Sequence, residues 1–282
     1  LRLAEDPAFV RDLQTAGLSS VFLQFDGPGD AIYRRLRGRD LLAAKQAAIA
    51  ACGENRIGVV LVPTLVPGVN DHDIGRILAM AVDHSPGVRS VHFQPVSYFG
   101  RLPQAPTDSG RITLPQLMRA IEEQSDGKFK TAHFSPPGCE NALCSFSANF
   151  LVMPEQSVRP MSASWPGICC PEPVTAEIGA AQTIGCVARQ WSAPPACGCS
   201  TPKNPLQEET PEADGALSLE VFLERAKTHM LAVSAMAFQD VWNLDLERVR
   251  DCCIHVMAPD TRLVPFCLYN LTSSSGQRLY RP

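Results

Sequence analysis

The sequence predicts an α/β fold, the C-terminal part of a parallel-stranded barrel, and three observations carry that expectation. Residues 1–126 alternate strand and helix patterns in the order β-α-β-α-β-α, behind a leading helix. That order implies a parallel sheet with right-handed crossovers. The stretch 57–62 is continuously apolar, as a strand covered on both faces should be. The strands end at polar or glycine positions, Asp26-Gly27, Thr64 and Gln94, where sheets of this kind hold ligands.

The elements follow in order. Residues 3–16 read as a helix stopped by Gly17, and the β-branched and aromatic run 19–25 reads as the first strand. Asp30 is expected to cap a short basic helix, and Asp40 to cap the next, 41–52, with Gly53 as its stop. After the strand at 57–62, Asn70 or Asp71 is expected to cap a helix over 74–84. Residues 88–96 form the third strand. Thr113-Leu114-Pro115-Gln116 is a capping box that opens a helix to about residue 124. Ten prolines fall between Pro154 and Pro211 with little periodicity, so this stretch reads as a long, partly disordered loop. Order is expected to return with an amphipathic helix over 217–238 and a short helix over 244–251, followed by a hairpin over 254–280 that turns at Pro259-Asp260. Three regions result: a half-barrel over 1–135, a Cys/Pro-rich loop region over 136–216 and a small α+β C-terminal segment over 217–282.

The chain has 282 residues, 45% of them hydrophobic, and a formal net charge of −4, which gives no electrostatic case for nucleic acid. The longest apolar run, 57–66, is short and interrupted by Pro63, so no membrane span is expected. Eleven cysteines are many for a chain of this kind. With no secretory leader pattern, the expected compartment is the reducing cytoplasm, where clustered thiols bind metal or do redox chemistry.

Strand alternation selects the candidate ligand contacts. Phe22, Gln24 and Asp26 share one face of the first strand, and His92 and Gln94 share one of the third. The alternative roles are a turn cap at Gly27 for Asp26 and backbone bonding for Gln94. Arg34, Arg35 and Arg37 read as a solvated helix face. Among the thiols, Cys139-x4-Cys144 and Cys253-x13-Cys267 supply two pairs, enough for one cluster, with Cys169, Cys170 and Cys252 as further candidates. No Cys-x2-Cys pair occurs, which argues against a zinc ribbon. Soft thiolates that lie far apart in sequence and follow an α/β core best fit an auxiliary [4Fe–4S] cluster.

Gln24-Phe25-Asp26-Gly27 followed by Tyr33-Arg34-Arg35-Leu36-Arg37-Gly38 resembles the fourth strand and following helix of radical S-adenosylmethionine (SAM) enzymes. The run 62–71, VPTLVPGVND, is similar to their fifth strand and loop, and His92-Phe93-Gln94-Pro95-Val96 to their sixth. Pro136-Pro137-Gly138-Cys139-x4-Cys144 and the terminal Cys253-Ile254-His255-Val256…Pro265-Phe266-Cys267 resemble the branch of dihydropterin methyltransferase-like and tetraether lipid synthase-like proteins, selenoprotein-type members included. The resemblance implies a partial (β/α)6 barrel that binds SAM through Gln24, Asp26, Gly27, Thr64 and Gln94. It also implies an auxiliary [4Fe–4S] cluster on Cys139, Cys144, Cys253 and Cys267. A reductant such as ferredoxin or flavodoxin and a small-molecule or lipid substrate are implied as partners. The family's Cys-x3-Cys-x2-Cys motif for the SAM-cleaving cluster is absent. The expectation is therefore a protein extending N-terminally of Leu1, or an inactive remnant. The alternative is a non-catalytic iron–sulfur or zinc module; an ordinary hydrolase or aldolase-like barrel lacks any matching motif.

Overall fold

The computed structural model describes residues 1–100, 104–136, 141–161, 185, 188–194, 219–273 and 276–280. Seven strands form one mixed sheet: β1 (Ser20–Gln24), β2 (Gly58–Val62), β3 (Thr64–Leu65), β4 (Val88–Pro95), β5 (Ser145–Val152), β6 (Val158–Pro160) and β7 (Met230–Met236). Their order is β1-β2-β4-β7-β5-β6, with β3 beside β4. β1, β2 and β4 run parallel, as the alternation of strands and helices predicts, and β7 adds a fourth parallel strand beside β4. β5 then reverses against β7, and β6 against β5.

Among the described residues the helices include α1 (Arg2–Glu5), α2 (Pro7–Thr15), α3 (Asp30–Arg37), α4 (Leu42–Glu54), α5 (Ile74–Asp83), α6 (Leu114–Gln124), α7 (Leu219–Thr228), α8 (Leu246–Arg250) and α9 (Phe266–Tyr269). One sheet face is the core. Leu23, Phe25, Leu61, Phe93, Phe146, Phe150 and Val233 bury there against Ile77, Leu78, Leu117 and Ile121 of α5 and α6. The register carries the intervening residues to the other face, because side chains alternate along a strand. There Phe22, Val60, Ser90, Ala232 and Asn149 form one row, and His92, Ser234 and Ser147 another. Residues 188–194 cross this more polar face. Trp191 meets Phe22 edge-on with ring centroids 4.8 Å apart, and the Gln190 amide donates to Asn149 Oδ1.

Several local expectations are corrected. The leading helix is two helices, because Asp6 leaves the helical region and its carboxylate caps Phe9 N–H at 2.9 Å ahead of Pro7. Asp30 does not cap α3; its Oδ1 accepts from the Leu41 and Leu42 N–H groups and so caps α4. Gly38, at φ 75°, makes that turn between the two helices, and Asp40 pairs with Arg34 instead. Gly53 lies inside α4, and the left-handed residue after that helix is Arg56, at φ 54°. Asp73 is the N-cap of α5, which leaves Asn70 and Asp71 to the preceding loop. The capping box at Thr113 is present in full.

Two larger differences concern the sheet. Residues 145–160, assigned to the loop region, supply β5 and β6. The expected helix over 217–238 ends at Thr228, and Met230–Met236 is a strand between β4 and β5. A short apolar run reads equally as buried helix or buried strand, and only its neighbours decide. The expected C-terminal hairpin is β8 (His255–Met257) against β9 (Leu263–Pro265), after which Pro265 opens α9.

Candidate functional site

The C-terminal ends of β1 and β2 are joined through one carboxylate. Asp26 is fully buried, and Arg37 grips it from two nitrogens, Nε at 2.8 Å and Nη2 at 3.0 Å. The Thr64 N–H donates to the same carboxylate at 3.2 Å. Arg37 also reaches Thr64 Oγ1 at 3.4 Å and the exposed Gln24 amide oxygen. Asn70 braces this end from below: its amide donates to the backbone oxygens of Asp26 and Thr64 at 2.8 and 2.9 Å, and its oxygen accepts from Val66 N–H. Asp26 thus lies behind Arg37, whose side chain is 31% exposed. The basic run read as a solvated face holds one residue that is nothing of the kind.

Gln24, Thr64 and Gln94 stand at the strand ends as the alternation requires. Thr64 and Gln94 are register partners of β3 and β4. His92 bonds across to Ser234 of β7, with Nδ1 to Oγ at 2.9 Å. Gly27 is buried, and a Cβ there would displace the tip of the Ile32 side chain. Lys45 lies near this pair, and burial, aided by Arg37 and Arg39 and opposed by Asp26, lowers its pKa.

The thiols gather at the end of β7. Cys144, just before β5, and Cys252, Cys253 and Cys267 of the C-terminal segment line one small apolar cavity with Met236, Ala237, Phe238, Ile254 and Phe266. Two of these sulfurs receive N–H donors: Gln239 N–H to Cys267 Sγ at 3.3 Å, and Arg248 Nη2 to Cys144 Sγ at 3.2 Å. Cys252 donates to the Ile254 carbonyl at 3.3 Å, and Cys253 is exposed. Burial pushes the Cys267 thiol up, against the opposing pull of the Gln239 N–H. Cys139, Cys169 and Cys170 lie outside the described residues. Among the described residues, no three His, Cys, Asp or Glu side chains are grouped closely enough to hold a metal ion. The donor chemistry nevertheless fits an iron–sulfur cluster: soft ligands, an apolar surround and N–H groups aimed at sulfur.

Beside the thiols lies a cavity of about 630 Å³ at the ends of β4 and β7, closed on one side by the first turn of α6. Its rim is fixed by a buried ion pair. Asp240 is fully buried and takes Arg111 Nη1 and Nη2, each at 2.9 Å, and the Tyr98 N–H at 2.8 Å. The loops after β4, before α6 and after β7 are thereby tied together. Sequence reasoning missed Asp240, Gln239 and Arg248. Polar residues a few positions beyond an apolar strand would have flagged Gln239 and Asp240, had 230–236 been read as a strand.

No protein-family profile matches the chain. Among curated proteins it is 31% identical over 299 aligned residues to the 7,8-dihydro-6-hydroxymethylpterin dimethyltransferase of Methanocaldococcus jannaschii, covering 93% of this chain and 58% of that protein. It is 30% identical over 116 residues to the GTP 3',8-cyclase of Gloeobacter violaceus, covering 40% of this chain and 34% of that protein. The chain therefore spans less than two thirds of either relative. Among the described residues, no helix is long and apolar enough to cross a membrane. With a largely parallel sheet, and a similarity that runs through most of its length, the chain belongs to the radical SAM family and is related to the pterin dimethyltransferase and the GTP cyclase.

Proposed function

We propose that this chain forms part of a radical SAM iron–sulfur enzyme, a partial (β/α)6 barrel in which the thiol cavity holds an auxiliary [4Fe–4S] cluster. The observation that carries the reading is the convergence of Cys144, Cys252, Cys253 and Cys267, from segments more than a hundred residues apart, on one apolar cavity. Cys144 and Cys267 are the ligands best supported, since each already receives an N–H donor. Cys253 or its neighbour Cys252 would be the third and Cys139 the fourth. Gln24, Thr64 and Gln94 would contact SAM at the strand ends, with Gly27 turning the chain there and Asp26 acting through Arg37.

When bound, the family's SAM-cleaving cluster supplies a 5′-deoxyadenosyl radical that takes hydrogen from substrate. Its three-cysteine motif does not occur in residues 1–282. What this chain's residues do is position, shield and donate. Arg37 fixes the strand ends, Arg248 and Gln239 N–H stabilise thiolate charge, and Phe238 and Phe266 limit water. The partner would be a low-potential reductant such as ferredoxin or flavodoxin in the cytoplasm, and the substrate a small molecule or a lipid.

The test is anaerobic reconstitution with iron and sulfide. About four irons per chain are expected for one cluster. Cys144→Ser and Cys267→Ser should each lose most of that iron, while Cys52→Ser, buried elsewhere in the core, should keep it. Protein that stays folded but colourless and iron-free would sink the reading. One alternative, a non-catalytic iron–sulfur or zinc module, would use the same thiol cavity. Calorimetric titration with SAM separates the two, since only the first predicts binding that weakens on Gln94→Ala.

A further inference from the structure

We propose that Arg248 tunes the iron–sulfur cluster of the thiol cavity, making it easier to reduce by laying a permanent positive charge against one of its ligand sulfurs. The inference deepens the reading above and rests on it for the cluster. Arg248 is presented by α8, a short helix fixed by Asp245, whose Oδ1 accepts from the Glu247 and Arg248 N–H groups at 2.9 and 3.3 Å, and by the buried Val249. From there Nη2 donates to Cys144 Sγ at 3.2 Å and to the Ala237 carbonyl at 3.4 Å. The Ala237 N–H in turn donates to the Cys144 carbonyl at 2.9 Å. This ring of three bonds ties the guanidinium, the end of β7 and the Cys144 sulfur into one unit.

The charge of Arg248 is uncompensated where that of Arg111 is not. Arg111 is neutralised by Asp240 through two nitrogens. Among the described residues no carboxylate pairs with the Arg248 side chain, and its Nε is buried without a partner. The donor to Cys267, the Gln239 N–H at 3.3 Å, is by contrast a neutral backbone group. Met236, Phe238, Ile254 and Phe266 line the thiol cavity, so a charge beside it is poorly screened. Reduction adds one electron to a cluster and makes its sulfurs more negative, while the guanidinium stays protonated throughout. No bond breaks and no proton moves. The charge-assisted N–H···S bond therefore strengthens on reduction, and the reduced state gains more from Arg248 than the oxidised one.

The experiment reconstitutes the whole chain anaerobically with iron and sulfide and titrates it with dithionite, following by electron paramagnetic resonance the signal that Cys144→Ser removes. Arg248→Leu should make the cluster about tenfold harder to reduce, a midpoint about 59 mV more negative. Arg248→Lys keeps the charge and should stay within about threefold of the wild type. Arg250→Leu removes an equal charge from the exposed end of α8 and should leave the midpoint in place, because water and salt screen it. An Arg248→Leu cluster with the wild-type midpoint, or an equal shift in Arg250→Leu, would overturn the proposal. Should Arg248→Leu lose its iron, Arg248→Gln, which retains an N–H donor, carries the same comparison. Loss of iron from both, with circular dichroism showing them folded, would make Arg248 a strut for Cys144 and overturn the proposal as well. The two readings stay apart: a wild-type chain that takes up no iron sinks the cluster and the tuning with it, whereas iron with unshifted midpoints sinks only the tuning.

Discussion

Arg37 gathers more at its guanidinium than any other arginine near the strand ends. It neutralises Asp26, touches Thr64 and meets Gln24, so three of the five expected cofactor contacts share one partner. Removing it leaves a fully buried carboxylate with only the Thr64 N–H. Arg37→Met should therefore destabilise the chain by about 3 kcal/mol, the usual result of breaking a buried pair from one side. Urea unfolding measures it, and a loss below about 1 kcal/mol would mean water reaches Asp26 as easily as Arg37 does. Sequence pattern places Arg37 in a basic run but does not distinguish it from Arg34, which instead pairs with Asp40 at the surface. Helical spacing fixes which way each side chain leaves the helix; the partner waiting there is set by the β1–β2 junction.

At the scale of elements, α5 and α6 approach so closely that one glycine decides the contact. A Cβ on Gly75 would overlap the Gln124 backbone, while Gly75 N–H donates to Gln124 Oε1 at 3.1 Å and Gln124 Nε2 donates to the Asp71 carbonyl at 2.7 Å. Gly75→Ala should cost about 1–3 kcal/mol by overpacking, seen as a lower Tm, despite the better helix propensity of alanine. A raised Tm would show that the two helices can part freely. The capping box of α6 was legible because its two bonds are made within four residues. The cap of α4 was not, because Asp30 reaches it across a turn. β7 was misread for a similar reason: its apolar run carries no period, and its strand state comes from pairing with β4 and β5.

Across the whole molecule, titration should be felt through histidines at the base of the sheet. Burial, then the neighbouring Arg225 and Arg89, hold His229 below its ordinary pKa of 6.5. Burial and Lys130 do the same to His133. Each binds a proton more weakly folded than unfolded. Their contribution to stability is therefore complete above about pH 6.5 and is lost as the pH falls through the folded values. Tm should fall between about pH 7 and pH 5, and His229→Gln should flatten that slope. An unchanged slope would place the acid sensitivity elsewhere.

By itself the sequence determined the parallel strands β1, β2 and β4 and the family, because continuous apolar strands, local caps and the strings around Gln24, Thr64, Gln94 and the two cysteine groups are all written within short windows. The tertiary structure decided the insertion of β7 beside β4, the locking of Asp26 behind Arg37, the gathering of Cys144 with Cys252, Cys253 and Cys267, and the cavity held open by Arg111 and Asp240. Each of these depends on pairing between segments far apart in the chain, and such pairing is settled by register and packing, which no local pattern encodes.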